Sequence, residues 1–189
     1  MSESSAVVVR CPWGDDPAMT TYHDTEWGRE LRGDRELYER LSLEAFQSGL
    51  SWAIVLRKRP RFREVFADFD PERVAAFGDH DVARLLDDAG IIRNRMKIEA
   101  TITNARTIID LGESFSDLLW SFAPEPRPAP VTLADVPATT PESVAMAKAL
   151  KKRGFRFFGP TTAYALMQAT GMVNDHLAGC VARDAAGPG

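Results

Sequence analysis

The chain has 189 residues, which suits one domain, or one domain in two lobes, with a substantial hydrophobic core. Its 44% hydrophobic and 26% charged residues are those of an ordinary globular protein, and no apolar run reaches the length of a membrane span. The three-valine patch near the N-terminus is too short for a secretory signal, so we expect a cytoplasmic protein. Two cysteines exclude a disulfide framework, and a reducing compartment leaves them as thiols or metal ligands.

Positive charge is clustered although the net charge is −4. Basic residues concentrate at 57–63, 93–97 and 148–156. The acidic balance alone argues mildly against a nucleic acid partner, and any single basic run is commonly a solvated face. Three such runs allow a local surface for a polyanion without establishing one.

Helical periodicity dominates the chain. Apolar residues recur at three- and four-residue spacing and predict helices at 35–56, 71–77, 79–89, 94–111, 142–153 and 160–170. Asp34 and Asp79 are the predicted N-caps, and Pro71 and Pro160 stand at first helical positions. No segment alternates convincingly with period two, so the sequence predicts an all-α fold.

A proline-rich segment divides the predicted helices into two groups. Residues 123–143 hold six of the twelve prolines and predict a long extended connection before a C-terminal helical pair. We expect a single two-lobed domain over 8–181. The tails at 1–7 and 182–189 are predicted to be disordered, the second because it consists mainly of small residues.

Cysteine and histidine are few, and four of them form a candidate metal set. His176 and Cys180 stand four residues apart, which on a helix places them on one face, and Cys11 and His23 flank a turn-rich segment near the other end. Together they make a possible Cys2His2 site for zinc. The spacing matches no common zinc-finger pattern, so unrelated thiols and histidines remain the alternative. Four protein ligands would make the metal structural.

The segment 151–162 has the outline of a helix-hairpin-helix. Basic residues end one helix, Gly154 opens a tight loop, and Gly159 precedes a helix that begins with proline and two threonines. Backbone N–H groups in such a loop hold a phosphate without reading base sequence. An ordinary turn between two helices is the alternative.

The segment 41–52, LSLEAFQSGLSW, carries polar groups on an otherwise apolar helix. Glu44, Ser48 and Trp52 recur at four-residue spacing with Gln47 alongside. A carboxylate, an amide, a hydroxyl and a large aromatic surface on one face are typical of a pocket for a flat, polar ring. Further aromatic residues lie close in sequence to the metal candidates, namely Trp13, Tyr22 and Trp27.

Taken in order, these pieces resemble the 3-methyladenine DNA glycosylase I family of bacteria. The resemblance covers nearly the whole chain except its two ends. The matching pieces are RCPW (10–13), YHDTEWG (22–28), LEAFQSGLSW (43–52), FDP (69–71), DAGIIRNRMKI (88–98), NAR (104–106), WSF (120–122), LKKRGFRFFGPTT (150–162) and MQATGMVNDHLAGC (167–180).

The resemblance implies the all-α helix-hairpin-helix DNA glycosylase fold, with a structural zinc held by Cys11, His23, His176 and Cys180. It implies hydrolytic excision of 3-methyladenine from alkylated double-stranded DNA, without lyase activity. We expect a monomer with no membrane partner.

The resemblance also implies roles for individual residues. Glu44 would be the catalytic carboxylate. The base pocket would be formed by Trp13, Tyr22, Glu44, Gln47, Trp52 and Asn174. DNA contacts would come from Gly49, Leu50, Lys151, Lys152, Gly154, Arg156, Gly159 and Thr161, with Leu50 probing the gap left by the flipped base.

The chain departs from wider relatives of this fold at three places. Asn174 stands where those relatives carry an aspartate, so we expect Glu44 to supply the carboxylate instead. No lysine enters the second hairpin helix, as lyase activity would require, and two cysteines cannot hold an iron–sulfur cluster. The sequence leaves open whether Asp175 reaches the active site or orients His176.

Two functions of other classes remain as alternatives. A helix-hairpin-helix module without catalytic activity would bind DNA only, and the polar face of Glu44, Gln47 and Trp52 argues against it. A hydrolytic zinc enzyme would need an open coordination position, which a closed Cys2His2 site does not offer.

Overall fold

The computed structural model describes residues 8–186, and all regular structure within that range is helical. The predicted disorder of residues 1–7 lies outside the described residues. The α-helices are α1 (Thr20–Thr25), α2 (Asp34–Gln47), α3 (Trp52–Val65), α4 (Pro71–Ala75), α5 (Asp79–Asp87), α6 (Arg95–Ile109), α7 (Phe115–Trp120), α8 (Pro141–Arg153) and α9 (Pro160–Ala169). Short 3-10 helices occur at Pro12–Asp15, Leu133–Asp135 and Asp184–Ala186.

Helix α2 is the centre of the fold. It packs against α3, α6, α7 and α9, and Leu37, Leu41 and Phe46 are completely buried in the main hydrophobic core. The rings of Phe62 and Phe66 pack against the ring of Phe46, and the centres of the Phe46 and Phe62 rings are 4.6 Å apart. Polar residues of α2 therefore stand at the edge of a rigid core.

The predicted helix 35–56 is wrong in one respect, because the structure divides it into α2 and α3. Gly49 has a φ of +82°, which lies in the left-handed region that favours glycine, and Ser48 and Ser51 are extended. Residues 48–51 form a tight loop, which we call the probe loop. It points Leu50 outward, with 37% of the residue exposed.

The remaining predicted helices agree with α4, α5, α6, α8 and α9 to within two residues at each end. Helices α1 and α7, each of six residues, were not predicted. Both predicted N-caps are displaced by one position: Gly33 and Gly78 are the caps. Asp34 lies inside α2, where its carboxylate accepts a hydrogen bond of 2.7 Å from the backbone N–H of Ser116. Aspartate in the first turn is still favourable because of the helix dipole.

The proline-rich connection between α7 and α8 is irregular apart from its 3-10 turn, as predicted. We call residues 124–140 the strap. The carbonyl of Pro130 accepts a hydrogen bond of 2.9 Å from the N–H of Ala178, and the strap runs beside the segment that follows α9. In the described part of the chain, none of the helices has the length and hydropathy to cross a bilayer.

The C-terminal segment packs against the N-terminal segment. Residues 182–186 form a turn and the last 3-10 helix, and Ala182 and Ala186 are buried. The backbone N–H of Val181 also donates to the carbonyl of Val9, so the segments around these two residues lie side by side. The predicted disorder of 182–189 stays a prediction, of which residues 187–189 lie outside the described residues.

Candidate active site and metal cluster

A cavity of about 510 Å³ opens between the N-terminal segment, α2, the start of α3, α9 and the strap. This volume is in the usual range for small-molecule sites. Aromatic and polar residues share its wall. Those predicted from the sequence are Trp13, Tyr22, Glu44, Gln47 and Trp52, and those that the sequence reading missed or left open include Met19, Trp27, Leu133, Val136, Gln168 and Asp175.

Glu44 is the buried carboxylate of this cavity. It is only 6% exposed, and within residues 8–186 its carboxylate accepts no hydrogen bond. Burial raises the pKa of Glu44 to about 7, and the positive charge of nearby Arg40 lowers it only in part. A buried carboxyl group without a donor is costly to ionise, so the cavity favours a ligand that brings positive charge or hydrogen-bond donors.

Trp52 adds an unpaired donor to the same wall. Its indole Nε1 is buried and has no acceptor among the described residues. The ring lies 5.5 Å from that of Tyr22, centroid to centroid. Gln47 lines the cavity too, but its amide donates a hydrogen bond of 2.7 Å to the carbonyl of Leu50, so it also braces the probe loop.

Tyr22 is fixed by a charged network beneath the cavity. Its hydroxyl accepts a hydrogen bond of 2.7 Å from Arg40, and burial raises the pKa of Tyr22 well above its usual value. Glu26 receives two hydrogen bonds from Arg59, at 2.6 and 2.8 Å, and a longer one from Arg40. The guanidinium of Arg59 holds the pKa of Glu26 below its ordinary value. The Tyr22 ring is therefore held rigidly toward the cavity.

Asp175, not Asn174, faces the cavity. The Asp175 carboxylate is buried and accepts hydrogen bonds from Tyr164, from Gln168 at 2.9 Å and from Arg127 of the strap at 2.9 Å. This answers the question that the sequence left open.

Asn174 is not among the residues that line the cavity, and its predicted role in binding the base stays a prediction. Its side chain is turned away from the cavity, donates to the carbonyl of Arg183 and accepts from the N–H of His176. Successive residues in an extended segment point to opposite sides, so a shift of one position exchanges the two side chains.

The four predicted metal ligands converge in one buried cluster. The ligand atoms of Cys11, His23, His176 and Cys180 all lie within 4.8 Å of one another. Cys180 Sγ is 3.5 Å from His23 Nε2 and 3.5 Å from His176 Nδ1, and Cys11 Sγ is 3.8 Å from His176 Nδ1. Zinc bonds of about 2.3 Å to sulfur and about 2.0–2.1 Å to nitrogen place tetrahedral ligand atoms about 3.5 Å apart. The cluster therefore fits a tetrahedral metal.

The surroundings of the cluster orient both histidines so that one ring nitrogen of each faces the other ligands. His23 Nδ1 lies 2.7 Å from the Asp24 carboxylate, and His176 Nε2 lies 3.0 Å from the Trp27 carbonyl, which leaves the opposite ring nitrogens for the metal. Burial lowers the pKa of His176 to about 4, so its imidazole is neutral. Burial raises the pKa of the Cys11 thiol to about 11, so a thiolate there needs a bound cation.

The hairpin predicted at 151–162 is present. Gly154 ends α8 with a φ of +102°, and Gly159 is the N-cap of α9. The side chains of the predicted contacts are exposed, namely Lys151, Lys152, Arg156 and Thr161. A groove of about 610 Å³ separates the hairpin from Ser48 of the probe loop. The probe loop and the hairpin thus border one groove.

The basic run at 57–63 is largely used within the protein. Arg59 pairs with Glu26, Arg61 with Glu64 and Asp88, and Arg63 with Glu39. Lys58 donates to the carbonyl of Ala89. The side chains of Lys58, Arg59, Arg61 and Arg63 are therefore engaged within the protein.

A hairpin beside a polar, aromatic cavity in an all-helical fold defines the class of helix-hairpin-helix DNA glycosylases. The chain belongs to the methyladenine glycosylase family, whose model matches residues 13–183. The predicted fold class and family are confirmed.

Three relatives illustrate the similarity. The DNA-3-methyladenine glycosylase 1 of Escherichia coli (strain K12) is 49% identical over 178 residues, which cover 90% of this chain and 95% of the relative. The DNA-3-methyladenine glycosylase of Haemophilus influenzae is 44% identical over 181 residues, or 92% and 97% of the two chains. A solved structure of 3-methyladenine DNA glycosylase I from Staphylococcus aureus, described for its recognition of 3-methyladenine, has a TM-score of 0.87 at 33% identity and covers 92% and 96%.

Proposed function

We propose that the protein is a monofunctional DNA glycosylase that hydrolyses the N-glycosidic bond of 3-methyladenine in alkylated DNA and leaves an abasic site. One observation carries the proposal: the buried carboxylate of Glu44 and the indole N–H of Trp52 line one aromatic cavity, and neither has a hydrogen-bond partner among residues 8–186. The two curated relatives bear the name DNA-3-methyladenine glycosylase, which supports the same substrate.

The chemistry of the lesion suits this cavity. Alkylation at N3 puts positive charge on adenine, so the base is a good leaving group and needs little help from an acid. The enzyme flips the nucleotide out of the duplex, and the bond between the sugar and the base breaks with its electron pair passing to the ring. Water then adds to the sugar carbon and loses a proton. The protein must bind the cationic ring and stabilise positive charge on the sugar.

We assign the catalytic role to Glu44. The negative charge of its carboxylate complements the positive charge of the ring, and burial strengthens the attraction between them. Trp13, Tyr22 and Trp52 offer ring faces for stacking and for cation–π attraction of about 0.5–2 kcal/mol each. Asp175, which also lines the cavity, already has Arg127 as its charge partner, so it contributes less unbalanced charge than Glu44.

DNA is bound by the exposed face that contains both loops. Gly154 opens the loop, and the first backbone N–H groups of α9, after Gly159, suit the phosphates of double-stranded DNA together with the charges of Lys151, Lys152 and Arg156. Leu50, held outward next to Gly49, is placed to fill the gap that the flipped nucleotide leaves. We further propose that the enzyme acts as a monomer in the cytoplasm, where a bacterial protein meets chromosomal DNA.

We propose that zinc occupies the cluster of Cys11, His23, His176 and Cys180. Two thiolates and two neutral imidazoles are a donor set that zinc prefers, and their spacing suits a tetrahedron. Bound zinc would join the two ends of the chain and take no part in the reaction, because four protein ligands leave no open position.

The test is product analysis on methylated duplex DNA. We expect the wild-type protein to release free 3-methyladenine, and Glu44→Ala to fold normally, as judged by circular dichroism, while losing base binding and excision. Native-rate excision by purified Glu44→Ala would refute the assigned role. A protein that binds the duplex and releases no base would be a DNA-binding module instead.

A further inference from the structure

Helix α6 contacts the end of α2 through a single buried lysine. The ammonium group of Lys97 donates hydrogen bonds of 2.8 Å to the carbonyl of Phe46 and 2.7 Å to that of Ser48, and the residue is only 6% exposed. The last carbonyls of a helix have no partner within it, and a cation there also complements the helix dipole. Lys97 therefore fixes the point at which α2 ends and the probe loop begins.

Two helical turns further along, α6 holds the hairpin in the same way. Asn104 is 1% exposed, and its amide donates to the carbonyl of Arg156 at 3.1 Å while its oxygen accepts from the N–H of Arg156 at 2.7 Å. Lys97 and Asn104 are seven residues apart, which places them on one face of the helix and about 10 Å apart along its axis. One rigid helix face thus contacts both loops.

The two loops also meet each other at this face. The Lys97 ammonium lies 5.6 Å from the centre of the Phe157 ring in the hairpin. Phe157 has a φ of +56°, unusual for a bulky residue, and is partly exposed. Ser48 and Phe157 line the same groove, so the probe loop and the hairpin form opposite walls of one surface.

We propose that Lys97 and Asn104 are positioning residues that hold the probe loop and the hairpin at a fixed separation. Binding of backbone phosphates at the hairpin then places Leu50 at the gap of the flipped nucleotide. The inference rests on the proposed function, in which the hairpin holds phosphate and Leu50 fills the gap. It assigns to α6 a part in recognising the damaged duplex, although α6 contributes no residue to the base cavity wall.

The main test compares Lys97→Met with the wild-type protein on three ligands: free 3-methyladenine, an undamaged duplex, and a duplex with a tetrahydrofuran abasic-site analogue. We expect the preference for the abasic duplex over the undamaged duplex to fall about tenfold, with free-base affinity within about twofold of wild type. Lys97→Arg, which keeps a donor and the charge, should recover part of that preference.

Lys58→Met is the matched control. It removes the same charge and one lysine-to-carbonyl hydrogen bond, but at Ala89, which belongs to neither loop. We expect it to weaken binding of both duplexes in equal proportion and to leave their ratio unchanged. A Lys97→Met protein with the wild-type ratio would overturn the inference, as would a loss of free-base affinity equal to the loss in preference.

Asn104→Ala tests the contact between α6 and the hairpin. It replaces Lys97→Met as the test variant if Lys97→Met does not fold. It should lower the preference as well, and the double variant should lose less than the product of the two single effects, because both residues maintain one separation. Independent, multiplicative effects would contradict a shared role. If wild-type protein releases no 3-methyladenine, the proposed function fails, whereas the ratio of duplex affinities tests the positioning role separately.

Discussion

At the scale of single residues, the pKa of Glu44 connects burial to substrate choice. A carboxyl group with a pKa of about 7 is partly protonated at neutral pH, and a cationic ring stabilises its ionised form. A neutral base offers no such gain. Burial makes the Glu44 carboxyl group costly to ionise by itself. The same burial therefore favours a charged base over a neutral one.

The first prediction concerns stability and pH. Because the pKa of Glu44 in the folded protein lies above the usual 4.5, the folded state holds this proton more tightly than the unfolded state does. The resulting stabilisation is complete below pH 4.5 and is lost as the pH rises through 7. We expect the free energy of unfolding of wild type, relative to Glu44→Gln, to fall by about 3 kcal/mol between pH 4.5 and pH 8. Urea unfolding of both proteins at several pH values measures this difference. A difference in unfolding free energy that does not change with pH would contradict the prediction.

The second prediction concerns the indole N–H of Trp52. A buried donor without an acceptor costs about 1–3 kcal/mol, so Trp52→Phe should leave the free protein at least as stable as wild type. Loss of the donor and of ring area should weaken binding of free 3-methyladenine about fivefold or more. Trp120→Phe is the control, since Trp120 donates to the carbonyl of Leu31 and does not line the cavity. Fluorescence titration and thermal unfolding distinguish the two variants, and equal effects on affinity would argue against the role of Trp52.

At the scale of elements, the strap closes one side of the cavity. Leu133 and Val136 line the cavity, and Arg127 attaches the strap to Tyr164 and Asp175 behind it. The strap has little regular structure of its own, so its position depends on this attachment and on the contact between Pro130 and Ala178.

The third prediction is that Arg127→Met loosens the strap. It leaves the buried Asp175 carboxylate without its cation, and we expect a loss of about 2 kcal/mol in the free energy of unfolding. Faster proteolytic cleavage within 124–140 should accompany it. Arg153→Met, which removes the exposed pair with Glu113, should change neither measurement noticeably. An unaltered cleavage rate in Arg127→Met would mean that other contacts hold the strap.

The probe loop shows which parts of an element a sequence can predict. Periodicity correctly places apolar residues of α2 and α3 on buried faces, but the period continues across the break, so it predicts one helix. Three features end α2: the left-handed Gly49, the bond from Gln47 to Leu50, and Lys97 from a helix fifty residues away in the sequence. Gly49 and the bond from Gln47 to Leu50 are local in the sequence. The contact of Lys97 with the end of α2 exists only in the folded protein.

At the scale of the whole molecule, the metal cluster joins the two ends of the chain. Cys11 and His23 come from the N-terminal segment and His176 and Cys180 from the C-terminal one, and Trp13 and Tyr22 beside them line the base cavity. A metal in the cluster would therefore hold one wall of the cavity as well as the termini.

The fourth prediction follows from this arrangement. We expect about one zinc ion per chain, and removal by a chelator should lower the unfolding temperature by about 10 °C or more. Cys180→Ser should lose most of the bound zinc, whereas His80→Gln, outside the cluster, should retain it. Elemental analysis and calorimetry provide the measurements. Full thermal stability in protein shown to be metal-free would contradict a structural role.

The sequence by itself determined the residue types of both sites and the helical class of the fold. Helical spacing grouped Glu44 with Gln47 on one face of α2, and the scarcity of cysteine and histidine made Cys11, His23, His176 and Cys180 candidate ligands, because both signals depend on chain geometry and on counts that a sequence contains. Trp52 reaches the same cavity from α3, across a break that helical spacing does not predict.

Only the tertiary structure decided which side chains meet. It turned Asp175 instead of Asn174 into the cavity, attached the strap through Arg127, and brought Lys97 and Asn104 of α6 to two different loops. The physical reason is that each of these contacts joins residues distant in the sequence or depends on the path of an irregular segment. Local periodicity carries no information about such contacts, whereas packing and the pairing of buried polar groups fix them.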